Sequence, residues 1–220
     1  LCMLGVAYIF LIDKTHYLHH MYFLIWVFAL FGVVGSDRKV QGHQWMIDLA
    51  RFQVGVVYLF GGIAKLNADW LAGKPMLQWM DQRRDWSYVG SFLAWDPFAY
   101  GLAWGGLAFD ILIVPALIWK RTRWLAVAAV VVFHLSNAAL FKIGIFPWLM
   151  IVLTAVFLPP ESFRGSVEPE IPAPSFRPIW MVLLLTWVAF HIAVPLRHHA
   201  FASDVNWTEE GHRFSWRMKL

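Results

Sequence analysis

Charge and sulfur are scarce in this sequence. Only 15% of its 220 residues are charged, and it has a single cysteine, Cys2. One cysteine excludes an internal disulfide and any zinc site built on paired thiolates. The formal net charge is only +4. In so apolar a chain that excess reflects basic loops, and no nucleic-acid partner is expected. A leading Met and a charged lead-in are also absent, since Leu1 stands inside an apolar run. The chain is therefore read as a piece of a longer protein, not a mature chain behind a signal peptide. What is abundant is apolar and aromatic: 60% of residues are hydrophobic and 14 are Trp. A soluble domain is about 45–50% apolar, so the lipid bilayer is the expected surroundings.

A helix needs roughly 20 apolar residues to cross the hydrocarbon core. Spans are expected over 1–12 (cut short), 19–35, 44–65, 97–119, 124–141, 143–158 and 178–196. The fold class is an all-α polytopic membrane protein with about six to seven transmembrane helices, the first truncated. Residues 1–196 form the transmembrane module, and 197–220 begin an outer or lumenal C-terminal region. Lys142, Gly144 and Pro147 mark a break between the fifth and sixth spans, where freed backbone must be buried or line a cavity. The connection 66–96 mixes charges with Trp70, Trp79, Trp86 and Trp95, the composition of a segment lying in the interface. If the spans alternate, Arg38, Lys39, Lys120, Arg121, Arg123, Arg164 and Arg177 fall on one side, which the positive-inside rule makes cytoplasmic. The tail 197–220 is then on the outer or lumenal side.

Three ionisable positions stand out. His16-x-x-His19-His20 has the form of a di-iron histidine box, but such a site draws on about eight imidazoles from several boxes. No second box occurs among the other histidines, so no metal is expected, and a di-iron hydroxylase or desaturase is the remote alternative. The bland reading places His16, His19 and His20 at the headgroup level. Lys65 follows a double glycine in YLFGGIAKLNADW and either snorkels to the interface or faces the bundle. Facing inward, desolvation favours its neutral amine, which is a general base. His134, halfway along its span, either bonds Asn137 or a backbone carbonyl, or serves as a proton carrier. Asp110 is also buried by this count, and Arg51 with Asp48, three apart, suits a structural ion pair.

Four passages in one order, DKTHYLHHMYF (13–23), YLFGGIAKLNADWL (58–71), FHLSNAALFKIGIFPW (133–148) and DVNWTEEGHRFSWRM (204–218), resemble the vitamin K-dependent gamma-glutamyl carboxylase family. The resemblance includes bacterial relatives that share its transmembrane HTTM module and covers essentially the whole chain. It implies an enzyme that uses reduced vitamin K, or a related quinol, with O2 and CO2 as co-substrates and no metal. A lysine base takes a proton from the quinol. Reaction with dioxygen then generates a base strong enough to carboxylate a glutamate and leaves the quinone as its epoxide. By motif the base falls on Lys65 and the active-site histidines on His20 and His134, while His19, Trp216 and Met218 match residues beside the quinol. The implied partner is a glutamate-containing protein or peptide on the outer side. The implied membrane is the bacterial inner membrane, or the endoplasmic reticulum if the source is eukaryotic.

Two departures bear on the site. His19 stands where the family usually has Asn, and Ala64-Lys65 stands where animal members have two lysines. Asn206-Trp207-Thr208 is a glycosylation sequon by pattern, and within the resemblance it is part of a structural motif. A quinol epoxidase without carboxylation, and a non-catalytic scaffold or transporter-like module, remain as alternatives.

Overall fold

The structure, a computed structural model, describes residues 2–12, 19–36, 44–159, 162, 178–202, 205–208 and 210–217. Eleven α-helices and no strand occur among the described residues. Four of them carry a stretch long and apolar enough to cross a membrane: α3 (Gln44–Ala64), α7 (Asp96–Ile118), α8 (Arg123–Leu140) and α10 (Pro178–Leu196). Three shorter apolar stretches accompany them, in α1 (Cys2–Ile12), α2 (His19–Ser36) and α9 (Phe146–Leu153) with the 3₁₀ turn Thr154–Phe157 behind it. Every segment expected to span is thus helical, and the protein is a polytopic membrane bundle.

Local chemistry sets the boundaries. Pro97 and Pro147 lie in the first turns of α7 and α9, where a missing N–H costs nothing. Between α8 and α9, Gly144 adopts φ +62°, a left-handed turn that favours glycine. The basic KRTR loop also terminates α7. Thr122 Oγ1 donates to Ala116 O at 2.7 Å and Arg123 Nε to Leu117 O at 3.0 Å, covering carbonyls that a helix end leaves bare. The expected Arg51–Asp48 pair is present at 3.1 Å, and Arg51 Nε also reaches Val156 O at 2.9 Å.

The connection 66–96 folds into three short helices, α4 (Ala68–Leu71), α5 (Lys74–Asp81) and α6 (Gly90–Leu93). Their apolar side chains Trp70, Met76, Met80 and Leu93 pack on Ala99 and Ala103, forming a small core against the first half of α7. The main core runs through the spans, from Phe23 on α2 and Val57 on α3 to Leu117 on α7, Val130 on α8 and Met150 on α9. After α10, a 3₁₀ turn (Arg197–Ala200) and α11 (Val205–Thr208) lead to a turn-rich tail over 210–217. That tail joins the main core through Trp216.

Candidate active site

Lys65 is the first residue past α3, where the helical ladder tightens. Its N–H bonds Gly62 O at 2.9 Å and that of Leu66 bonds Ile63 O at 3.0 Å. Asn67 then serves both helices. Its carbonyl accepts from Trp70 N–H at 2.9 Å, capping α4, while its amide donates to Ala64 O at 2.8 Å. The Trp70 indole donates to Ala103 O at 2.9 Å and ties this corner to α7.

The Lys65 side chain curls back and inward. Nζ donates to Gly61 O at 3.2 Å and lies 2.5 Å from Asp110 Oδ2, with each side chain only 9% exposed. Snorkelling to the interface is therefore not its role. The double glycine permits the meeting. A Cβ on Gly62 would stand 2.9 Å from Ile111 Cγ1 and 3.3 Å from Asp110 Cβ, and one on Gly61 would stand 3.3 Å from Asp110 Oδ2. With no side chain there, α3 and α7 approach closely enough for a lysine to span the gap.

One helical turn on each side of Gly61, Tyr58 and Lys65 share a face of α3. Tyr58 Oη and His134 Nε2 are 2.8 Å apart, a buried hydrogen bond between α3 and α8. The sequence suggested Asn137 or a backbone carbonyl as His134's partner. A phenol on another helix takes that place, and Asn137 lies on the cavity wall instead. His134 is 1% exposed, and its Nδ1 has no hydrogen-bond partner among the described residues. A buried polar atom of this kind calls for a partner.

Both pairs open on one cavity of about 850 Å³, inside the range of about 300–1,000 Å³ usual for small-molecule sites. Phe109 and Phe133, stacked at 3.8 Å between centroids, form part of its wall with Phe141, Phe146, Leu102 and Val132. At one end stand His19 and His20, from the start of α2, and the turn at Gly144. A Cβ on Gly144 would lie 3.7 Å from the His20 imidazole, so the turn passes directly against that ring. The tail closes the same end with His212, Trp216 and Arg217. Trp216 packs 5.5 Å from Tyr22 and 5.7 Å from Phe23, and His19 lies 5.1 Å from His212. Phe214 and Trp216 hold left-handed backbone (φ +64° and +60°), which costs about 1–2 kcal/mol each and is sustained by the burial of their rings.

Five of the residues singled out from sequence, His19, His20, Lys65, His134 and Trp216, therefore share one cavity. Met218 and His16 lie outside the described residues. Sequence reasoning did not assign Tyr58 or Asp110 to the site. The signals were a tyrosine seven residues before the lysine and a lone acid within an apolar span. Among the described residues, no group of three or more His, Cys, Asp or Glu is placed to hold a metal ion.

These features define a class: a helical membrane protein with an ion pair and a tyrosine–histidine pair facing an apolar cavity. The family model of the HTTM domain matches residues 1–161, and the chain belongs to that family. Residues 176–220 match the model described as the vitamin K-dependent gamma-carboxylase lumenal domain. The two matches together support the carboxylase-family relation that the four motifs suggested. No solved structure matches the chain.

Proposed function

We propose that this chain carries the active site of a quinol-dependent oxygenase and carboxylase, in which Lys65 removes a proton from a hydroquinone of the vitamin K type. The observation that carries the reading is the buried Lys65–Asp110 pair facing a cavity of about 850 Å³. The residues suit such a ligand. Apolar walls accept a fused ring and a prenyl chain, and the unpartnered His134 Nδ1 offers a quinol oxygen a hydrogen-bonding atom. When bound, the quinol supplies the electrons that reduce dioxygen, so no metal is required.

Each side chain then has a part. Lys65 takes the hydroxyl proton. The Tyr58 hydroxyl fixes the His134 ring through Nε2, so that Nδ1 faces the ligand in one orientation. His20 assists at the other end of the cavity, while His19, Trp216 and Met218 hold the quinol. Closure by the tail keeps water from a strong base and from a carbanion. The glutamate-bearing protein or peptide approaches from the outer or lumenal side, where the basic-loop asymmetry puts the tail. The membrane is the bacterial inner membrane, or the endoplasmic reticulum in a eukaryotic source.

The full-length protein in membranes, given reduced vitamin K, oxygen, labelled bicarbonate and a glutamyl peptide, tests this. Quinone epoxide together with label in the peptide is the expected outcome. Epoxide without label makes the protein a quinol epoxidase. Neither product supports the non-catalytic scaffold.

A further inference from the structure

The cavity beside Lys65 has a side that opens on the outer surface of the bundle. Among its lining residues, Gly105 on α7 and Val132 and Ser136 on α8 are exposed, Val132 by 65%. A Cβ on Gly105 or Gly106 would meet nothing within 4 Å beyond its own helix backbone, so among the described residues no side chain stands against α7 at this level. Depth follows from helix geometry. Phe109 and Phe133, whose rings stack at 3.8 Å, lie about 14 Å along α7 and α8 from the KRTR loop that joins them. Gly105 and Ser136 lie about 20 Å from that loop. The ring stack closes the gap between the two helices on the loop side. On the far side Leu140 and Phe141, packed on the small core of the 66–96 segment, bound it. The opening between these borders falls within a hydrocarbon core about 30 Å thick.

We propose that this opening is the passage through which the apolar tail of the bound ligand reaches the lipid, and that Gly105 and Gly106 give it the width it needs. The inference rests on the proposed function, which puts a prenyl-bearing quinol in the cavity. Lys65, Asp110, Tyr58 and His134 are buried and meet the polar ring. The opening offers the opposite chemistry. Ser136 donates its hydroxyl hydrogen to Val132 O at 2.8 Å, and Gly105 and Val132 add only apolar surface. A chain of isoprene units is disfavoured in water and is accommodated by such a wall and by the lipid beyond it. The ligand thus enters sideways from the bilayer, ring first, and its tail stays between α7 and α8.

Gly105→Leu narrows the opening and suits the fold, since leucine favours helix over glycine and its Cβ meets no neighbour. In the full-length protein in membranes it is expected to raise KM about tenfold or more for a naphthohydroquinone with a long prenyl chain. KM for the analogue with a single isoprene unit stays unchanged. Both values stay unchanged in Gly101→Leu, one turn away on α7 and outside the cavity lining. A long-chain analogue with a diazirine partway along its tail gives a readout that needs no turnover. Adducts are expected on Leu102, Val132 and Ser136, and they should diminish in Gly105→Leu. Tail adducts that fall elsewhere overturn the passage, as they would if a bilayer acyl chain filled the opening. So does a Gly105→Leu protein in which KM changes equally, or not at all, for the two quinols. If the tail adducts fall as expected but the wild type forms no epoxide, the oxygenase reading fails and the passage stands. Epoxide formed while the tail adducts fall elsewhere leaves that reading and removes the passage.

Discussion

Replacing Lys65 with arginine is expected to abolish epoxide formation, lowering kcat by about 10²–10⁴-fold, the usual contribution of a positioned base. Arginine is the informative substitution. Its guanidinium still pairs with Asp110, but it does not give up its proton in a protein. The ion pair at the end of α3 survives while the base is lost. Lys65→Ala is less clear, because it strands the Asp110 carboxyl, and breaking a buried pair costs about 3–5 kcal/mol. Epoxide yield from quinol and oxygen, compared at equal amounts of folded protein, gives the result. Full activity in Lys65→Arg removes Lys65 from the role of base.

Gly62→Val is expected to destabilise the bundle and to separate the lysine from its partner. The first added carbon already falls 2.9 Å from Ile111 Cγ1 and 3.3 Å from Asp110 Cβ, so α7 has to move away from α3. Overpacking of this kind costs about 1–3 kcal/mol. A chain of this size then loses about 2–4 °C in thermal midpoint for each kcal/mol. Activity should fall further than stability, since Lys65 lies 2.5 Å from Asp110 only while the two helices touch. Gly101→Val is the control on α7. A Cβ there meets nothing within 4 Å, and the midpoint should stay within about a degree. Equal midpoints for the two variants would mean that the glycine contact does not hold the helices together.

Much of the fold could be read from the sequence because lipid makes helices from apolar runs and leaves few other options. The Lys142, Gly144 and Pro147 cluster marked a real break, and the double glycine marked a real close approach. The segment 66–96 could be read as a connection outside the spans, but its three helices could not. Four or eight residues are too few to show a helical period. In the site, Lys65, His20 and His134 were visible as ionisable groups in apolar surroundings and as positions in recognisable motifs. Their partners were not. Spacing along one helix says which residues share a face, but not which helix lies opposite. Asp110 is 45 positions from Lys65, and Tyr58 is 76 from His134. The guess of Asn137 for His134 was a local one, three residues along the same helix, and a long-range phenol took its place. The tail's return to the cavity was likewise hidden. It depends on Phe214 and Trp216 holding a backbone conformation that sequence gives little reason to expect.

The account stands most directly on whether a quinol occupies the cavity beside Lys65. A vitamin K analogue with a photoreactive group on its ring, irradiated with the protein in membranes and mapped by mass spectrometry, measures this. Adducts are predicted on cavity residues of α3, α7 and α8, such as Tyr58, Phe109 and Phe133, and they should diminish when unlabelled quinol is added in excess. Adducts confined to outward-facing positions such as Leu112 and Val182, undiminished by competitor, would contradict it.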